Sequence, residues 1–73
     1  MPQMLTPHLL RAMRGIKGWS QVELAERAKV TANSIAAFET GKRDLRLETA
    51  DKLLRALGVE ITYRVDGTVI SGP

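Results

Sequence analysis

The chain has 73 residues, enough for one small domain with a thin margin of stability. It has no cysteine and a single histidine, His8, so disulfides, thiolate metal sites and multi-histidine metal sites are excluded, and we expect neither a metal nor another cofactor. Eleven Lys and Arg against eight Asp and Glu give a net charge of +3, which favours anionic partners such as nucleic acid.

The first helix is predicted to run from residue 7 to about residue 16. Thr6 is a good N-cap, and Pro7 at the next position has its φ already set for a helix. Apolar residues recur along this segment at spacings of four and three, which predicts one inward stripe. The members of that stripe are Leu9, Met13 and Ile16, with Leu10 beside it.

A second helix begins after Ser20, because Ser20 and Glu23 have the spacing of a capping box. A third helix, capped by Thr31, is expected from residue 32 to about residue 40, with Ile35 and Phe38 facing inward. A fourth helix is expected over residues 47 to 57. Its predicted inward stripe is Leu47, Ala50, Leu53, Leu54 and Leu57.

The pattern then changes from a helical period to a strand period. Apolar and polar residues alternate from residue 59, which predicts a half-buried strand, and Asp66-Gly67 is typical of a tight hairpin turn. We therefore expect a helical domain over residues 1–58 and a strand or hairpin over residues 59–73. An isolated hairpin is marginal in water, so it needs either a second copy of the chain or the chain's own helices. We favour dimerisation through Val59, Ile61, Tyr63 and Val65.

The second and third predicted helices are short and joined by a very tight connector, which is the layout of a helix-turn-helix. Residue identity strengthens this prediction. The run Ser-Gln-Val-Glu-Leu-Ala at 20–25 is followed by Ser34-Ile35 and by Glu-Thr-Gly-Lys-Arg at 39–43. These motifs and their spacing closely resemble the Cro/lambda-repressor-like family, also called Xre-type regulators, over about residues 9–59.

The resemblance implies a mainly α fold, a lambda-repressor-like bundle of four short helices with a C-terminal strand or hairpin. It implies a sequence-specific regulator that binds double-stranded DNA as a homodimer on a pseudo-palindromic operator and acts as a repressor. Small proteins of this family also serve as antitoxins. The alternative is therefore a protein-interaction module that binds a toxin-like partner, with DNA binding serving autoregulation.

The resemblance also assigns a base-facing role to four residues of the third helix: Ala32, Asn33, Ser34 and Ala37. Asn33 is the one side chain among them that can make the bidentate hydrogen bonds by which Asn reads adenine, and a solvated surface residue is its alternative. The two alanines either contact thymine methyl groups or permit close approach. The serine bonds either a base or a phosphate.

Five positions match family contacts to phosphate: Gln21, Thr31, Lys42, Arg43 and Arg46. A helix N-terminus presents free N–H groups to an anion, which supports Gln21, although an exposed first-turn residue is the alternative. Lys42 and Arg43 could instead belong to an ordinary solvated loop. Arg14 and Glu39 match a family pair that bridges the first helix to the end of the third, and we interpret that pair as structural.

The sequence departs from the family pattern in three places. Lys29 stands where many members have Gly, so it is predicted to adopt a positive φ at some strain. Leu45 and Arg46 stand where many members have Pro and Ser or Thr, which leaves the capping of the fourth helix uncertain. The third helix is poor in long polar side chains, so part of any specificity is expected from DNA shape and deformability.

Other function classes fit the sequence less well. An enzyme is not expected, because the chain has no second His, no Cys and no phosphate-cradling Gly-rich loop. Trp19, Phe38 and Tyr63 are the only aromatic residues, too few for binding single strands by stacking. No targeting segment or long apolar run is evident, so we expect a cytoplasmic protein with no membrane partner.

Overall fold

The computed structural model describes residues 5–59 and 62–71. Four helices are followed by a two-stranded antiparallel hairpin, which confirms the predicted fold class. The helices are α1 (Pro7–Lys17), α2 (Gln21–Ala28), α3 (Ala32–Glu39) and α4 (Leu47–Ala56), and the strands are β1 (Thr62–Val65) and β2 (Thr68–Ser71). Within the described residues, no helix is long and apolar enough to cross a bilayer.

The first helices begin where their caps predict. The Thr6 hydroxyl accepts a hydrogen bond from the backbone N–H of Leu9 at 3.1 Å. Ahead of α2, the Ser20 hydroxyl accepts from the Glu23 backbone N–H at 3.0 Å, and the Glu23 carboxylate accepts from the Ser20 backbone N–H at 3.4 Å. Gly18 caps the C-terminus of α1, and its φ of 69° lies in the left-handed region that glycine enters without strain.

Each helix supplies one fully buried aliphatic side chain to the core. These four side chains are Leu10, Leu24, Ile35 and Leu53. Burying a side chain of this size contributes roughly 1.5–3 kcal/mol relative to leaving it in water, so the four together hold the bundle. Trp19 and Val59 pack against the edge of this core.

The predicted inward stripe of α1 is wrong at two of its three positions. Leu9 is 41% exposed and Ile16 is 84% exposed, whereas Leu10 is fully buried. Successive residues turn about 100° around a helix, so a stripe that begins at Leu9 and one that begins at Leu10 face different parts of the bundle. Leu10 and Arg14, one turn apart, define the inward side, because Arg14 reaches the buried Glu39. The predicted stripe therefore lies mostly on the flank of α1.

The predicted inward position of Leu47 is also wrong, because this side chain is 86% exposed. Leu47 is the first residue of α4, and Leu45 in the preceding loop packs against the core instead. The remaining predicted positions of this helix are buried or pack against the core, namely Ala50, Leu53, Leu54 and Leu57.

The prediction that the C-terminal strand begins at Val59 is wrong. The Val59 backbone N–H donates to the Leu54 carbonyl at 2.9 Å, and its side chain packs against the helical core, so this residue completes the end of α4. Ile61, the next position predicted for dimerisation, lies outside the described residues. Within the described residues, β1 begins at Thr62.

The hairpin exposes its side chains on both faces, where the sequence predicts a half-buried strand. Residues 62–70 are all exposed. The register pairs Tyr63 with Ile70 and Val65 with Thr68. Cross-strand partners lie on the same face of a sheet, so these four residues form one surface, which we call the apolar hairpin face.

Candidate nucleic-acid interface

The connector between α2 and α3 consists of three residues, Lys29 to Thr31. Lys29 has φ 58° and ψ 45°, which confirms the predicted left-handed conformation at this position. The next residue, Val30, donates its backbone N–H to the Ala25 carbonyl at 3.0 Å and packs against the core. The turn is therefore anchored on both its backbone and its side chains, and it fixes α3 relative to α2.

Two hydroxyl groups stand together at the start of α3. Thr31 caps the helix by accepting from the backbone N–H of Ser34 at 3.1 Å, and the hydroxyl oxygens of the two residues lie 2.6 Å apart. Each hydroxyl has one hydrogen to donate, and only one of the two is used in the bond between them. Whichever residue donates, the other keeps its O–H hydrogen for an acceptor outside the helix.

The outward surface of α3 carries small side chains and one amide. Asn33 is exposed, and Ala37, one turn later, lies on the same side of the helix and is half-buried. The structure thus brings Asn33, Ser34 and Ala37 to one surface. Ala32, at the first position of α3, is half-buried and packs against the core.

Three exposed cations follow α3. The backbone N–H groups of Lys42 and Arg43 both donate to the Ala37 carbonyl, at 2.8 and 3.2 Å, so this loop folds back onto the end of the helix. Positive side chains are favourable there, because the C-terminus of a helix carries partial negative charge. Arg46 is exposed at the N-cap position of α4, where it makes no side-chain cap bond. Neither of the two ion pairs within residues 5–59 and 62–71 involves these cations.

Behind this surface, the carboxylate of Glu39 accepts three hydrogen bonds from two residues. Arg14 donates through Nε to Oε2 at 3.0 Å and through Nη2 to Oε1 at 2.8 Å. Gln21 donates through Nε2 to Oε1 at 3.2 Å. A further N–H of Arg14 donates to the Trp19 carbonyl at 3.0 Å. The group therefore joins α1, the start of α2 and the end of α3, and we call Arg14, Gln21 and Glu39 the polar triad.

The triad keeps its charges in spite of burial. Burial alone would raise the pKa of the Glu39 carboxyl, but hydrogen bonds from Arg14 and Gln21 and the positive charges of Arg14 and Arg11 outweigh it, so this pKa is lower than usual. The hydrogen bond to Glu39 raises the pKa of Arg14 above its ordinary value, against the opposing effect of burial. Both groups are ionised at neutral pH.

Two contacts near the start of α2 were not predicted from the sequence. Gln21 and Glu39 lie 18 residues apart, and no local pattern links an amide to a carboxylate at that separation. The Trp19 ring has the Arg27 guanidinium 4.3 Å from its centroid and the Lys17 ammonium 5.6 Å from it. Cations over an indole face are attracted to its π electrons, and the basic residues flanking the only tryptophan were the available signal.

The described part of the chain contains no group of three or more His, Asp and Glu side chains placed to hold a metal ion. The chemistry that the surface offers is hydrogen bonding and charge, through one amide, one free hydroxyl hydrogen and exposed cations. These are the groups that bind base edges and phosphates.

Comparison with known proteins agrees with the geometry. The family model described as Helix-turn-helix matches residues 10–64. An uncharacterized HTH-type transcriptional regulator of Methanothermobacter thermautotrophicus is 44% identical over 52 residues, which is 71% of this chain and 75% of that protein.

Solved structures show the same likeness. The hypothetical transcription factor NHTF from Neisseria is 34% identical with a TM-score of 0.69, and the match covers 73% of this chain and 60% of that one. A chain of the HipA-HipB-O2-O3 complex is 28% identical with a TM-score of 0.64, over 90% of this chain and 99% of that one. The motif, the fold and these relatives agree, and the chain belongs to the helix-turn-helix family of Cro/lambda-repressor-like transcriptional regulators.

Proposed function

We propose that this regulator represses transcription by binding double-stranded DNA as a homodimer, with α3 of each copy in a major groove. The observation that carries the proposal is the surface of α3. This surface carries the exposed amide of Asn33 with small side chains around it. At the end of the same helix, backbone hydrogen bonds hold the exposed cations Lys42 and Arg43. A helix placed in the major groove meets base edges along its face and phosphates at its ends.

In this proposal the base contacts are few. Asn33 makes the one bidentate contact, to adenine, and Ala37 with its neighbours permits close approach of the helix backbone to the bases. The free hydroxyl hydrogen of the Thr31–Ser34 pair donates to a phosphate or a base at the start of α3. With so few direct contacts, part of the specificity comes from the shape and deformability of the operator.

The phosphate contacts come from both sides of α3. Lys42, Arg43 and Arg46 supply exposed positive charge after the helix, and Gln21 supplies an amide at the N-terminus of α2. Cations that neutralise phosphates release counterions, so affinity falls steeply with salt. Repression follows when the bound protein covers a promoter.

The homodimer of this proposal forms through the hairpin. Tyr63, Val65 and Ile70 are large apolar side chains exposed on one face of a sheet of two four-residue strands, and such a hairpin is marginal alone in water. In the dimer, each copy covers this face with the same apolar face of its own hairpin, and two-fold symmetry makes the contact self-complementary. Two recognition helices about one turn of DNA apart then require a pseudo-palindromic operator.

Selection of bound duplexes from a random library tests the proposal. We expect enriched pseudo-palindromes with half-site centres about 34 Å apart. Enrichment of single, unpaired half-sites would overturn the dimer, and no enrichment at all would overturn sequence-specific binding.

A pair of charge variants then tests the phosphate contacts on the selected duplex. Lys42→Gln/Arg43→Gln should reduce the slope of log affinity against log salt concentration by about two, since each lost phosphate contact changes it by about 0.9. The control, Lys52→Gln/Arg64→Gln, removes the same charge from exposed positions on α4 and β1 and should leave the slope close to that of the wild type. Equal effects of the two variants would contradict the assignment.

A second candidate function is a protein-interaction module, in which the chain masks a partner protein and DNA binding serves autoregulation. The likeness to a chain of the HipA-HipB-O2-O3 complex, over almost all of both chains, favours it specifically. The test is whether the product of the adjacent gene forms a stoichiometric complex with this chain that survives size-exclusion chromatography. Failure to form that complex, together with operator binding by the chain alone, would leave the regulator as the full function.

A further inference from the structure

We propose that Glu39 is a positioning residue for DNA binding: its carboxylate holds the Gln21 amide so that the second N–H of the same nitrogen is presented to a phosphate. This inference rests on the proposed function, in which Gln21 contacts the DNA backbone. It assigns to the Arg14–Glu39 pair a role in recognition beside its structural one.

The geometry of Gln21 carries the first step. The amide nitrogen of a glutamine has two N–H donors. One donates to Glu39 Oε1 at 3.2 Å, and the second takes no acceptor within the described residues. Gln21 is half-buried as the first residue of α2, where backbone N–H groups and the positive end of the helix already favour an anion. One N–H is therefore an anchor, and the other is a donor at an anion-binding position.

The rigidity of Glu39 carries the second step. Its side chain is 3% exposed and is fixed by the two-point contact with Arg14. A glutamine free in solvent loses rotamer freedom when it binds a phosphate, whereas one already held by a fixed carboxylate has lost much of it on folding. Because the acceptor is charged, the bond that holds the amide is stronger than one between neutral groups.

Charge balance carries the third step. A carboxylate directly behind a phosphate contact would repel the phosphate if it were unpaired. Arg14 neutralises Glu39 within the triad, so the amide can be anchored without adding net negative charge near the DNA. The three residues are thus needed together, one as donor, one as anchor and one as counter-charge.

A double-mutant cycle on the selected duplex tests the inference. Gln21→Met removes the amide and keeps the side-chain length, and it should weaken binding by about tenfold in the wild-type background. In the Arg14→Met/Glu39→Met background no carboxylate holds the amide, so the same substitution should weaken binding by no more than about twofold. A neutral amide that contacts a phosphate releases no counterion, so the slope of log affinity against log salt concentration should be the same in all of these variants. General unfolding would not leave that slope unchanged.

Three comparisons keep the outcome interpretable. Asp51→Met/Arg55→Met removes a surface ion pair of α4, and in that background Gln21→Met should keep its tenfold effect. Gln21→Asn leaves the Arg14–Glu39 ion pair unchanged but shortens the side chain, so its amide cannot reach Glu39. This variant should bind DNA nearly as weakly as Gln21→Met. Thermal melts establish that each variant is folded at the assay temperature.

Each remaining result decides against the inference. An equal Gln21→Met penalty with and without Glu39, or wild-type affinity in Gln21→Asn, would leave Gln21 independent of the triad. Wild-type affinity in Gln21→Met would show that Gln21 makes no phosphate contact, while DNA binding by the other groups stands. If the wild-type chain binds no duplex, the proposed function fails first and this inference fails with it.

Discussion

The guanidinium of Arg14 and the carboxylate of Glu39 meet in a two-point contact, at 2.8 and 3.0 Å, although 25 residues separate them in the chain. The side chains are 21% and 3% exposed. A planar guanidinium that binds both carboxylate oxygens fixes orientation as well as distance. Because Arg14 also donates to the Trp19 carbonyl, one side chain ties α3 to α1 and to the loop before α2.

Removing one member of this pair should destabilise the domain far more than removing both. Glu39→Met or Arg14→Met alone leaves an uncompensated charge in a protected site and is expected to cost about 3 kcal/mol or more. A domain of this length has a total stability of about 4–11 kcal/mol, so either variant should lose much of it. The double variant should lie much closer to the wild type, because a buried ion pair replaced by apolar residues is often neutral.

Urea unfolding followed by circular dichroism measures these differences. Asp51→Met is the matched control, since it breaks an exposed pair on α4 and should change the free energy of unfolding by less than about 1 kcal/mol. A double variant as unstable as the sum of its single variants would show that the two charges act independently.

Acid should remove the contribution of Glu39. Its folded pKa is lower than its ordinary value of 4.5, so the stability that it adds is complete above that value and is lost as the pH falls through the lower folded pKa. In Glu39→Gln this dependence is absent, so the difference in unfolding free energy between wild type and variant should narrow as the pH falls below 4.5. Unfolding series at several pH values measure it, with Glu26→Gln on the exposed side of α2 as the control. A difference that stays constant down to the acid limit of folding would assign the effect to packing alone.

Replacing Lys29 with glycine should stabilise the domain, whereas replacing it with alanine should not. Its φ of 58° places a side chain in the left-handed region, which costs an L-residue roughly 1–2 kcal/mol. Glycine relieves this strain, but it also makes the unfolded chain more flexible, which offsets part of the stabilisation. Lys29→Gly is therefore expected to raise the unfolding free energy by about 0.5–1 kcal/mol. Lys29→Ala keeps the Cβ atom and should change it little. Equal gains in the two variants, measured by thermal melting, would point to the lost charge instead of the backbone.

The features predicted well from the sequence are those set by neighbouring residues. The capping box at Ser20 depends on local hydrogen bonds, so its short motif was sufficient to find it. The left-handed Lys29 was predicted from the family resemblance, because many members have Gly at this position. The rotation of α1 was not found, because spacing identifies an apolar stripe but not which neighbour it meets. Ile16 fits the period as well as Leu10 does, and only contact with the other helices distinguishes them. The bond from Gln21 to Glu39 depends in the same way on how α2 meets α3.

The hairpin should be required for dimerisation and dispensable for the helical core. Tyr63→Ser/Ile70→Ser removes the largest cross-strand pair from the apolar hairpin face and should lower the sedimentation mass towards that of one chain. Arg64→Ser changes the opposite face and is the control. A truncation must begin after residue 61, because Val59 packs against the core and its loss would destabilise the helices themselves. An unchanged mass in the double variant would refute a dimer formed through this face.

Asn33 should set base preference at one position of each half-site. Its side chain is the one exposed amide on the outward surface of α3, and a bidentate contact to adenine discriminates against other bases by about 1–3 kcal/mol. Asn33→Ala should therefore weaken binding to the selected operator by about tenfold or more. The variant should bind duplexes altered at that base pair nearly as well as it binds the operator. Titration against four duplexes that differ only at this position measures the change. Lys42→Gln, which removes a proposed phosphate contact, is the control and should weaken all four duplexes equally. If Asn33→Ala weakens all four duplexes equally, Asn33 binds the phosphate backbone, and the reading of sequence falls to the shape of the operator.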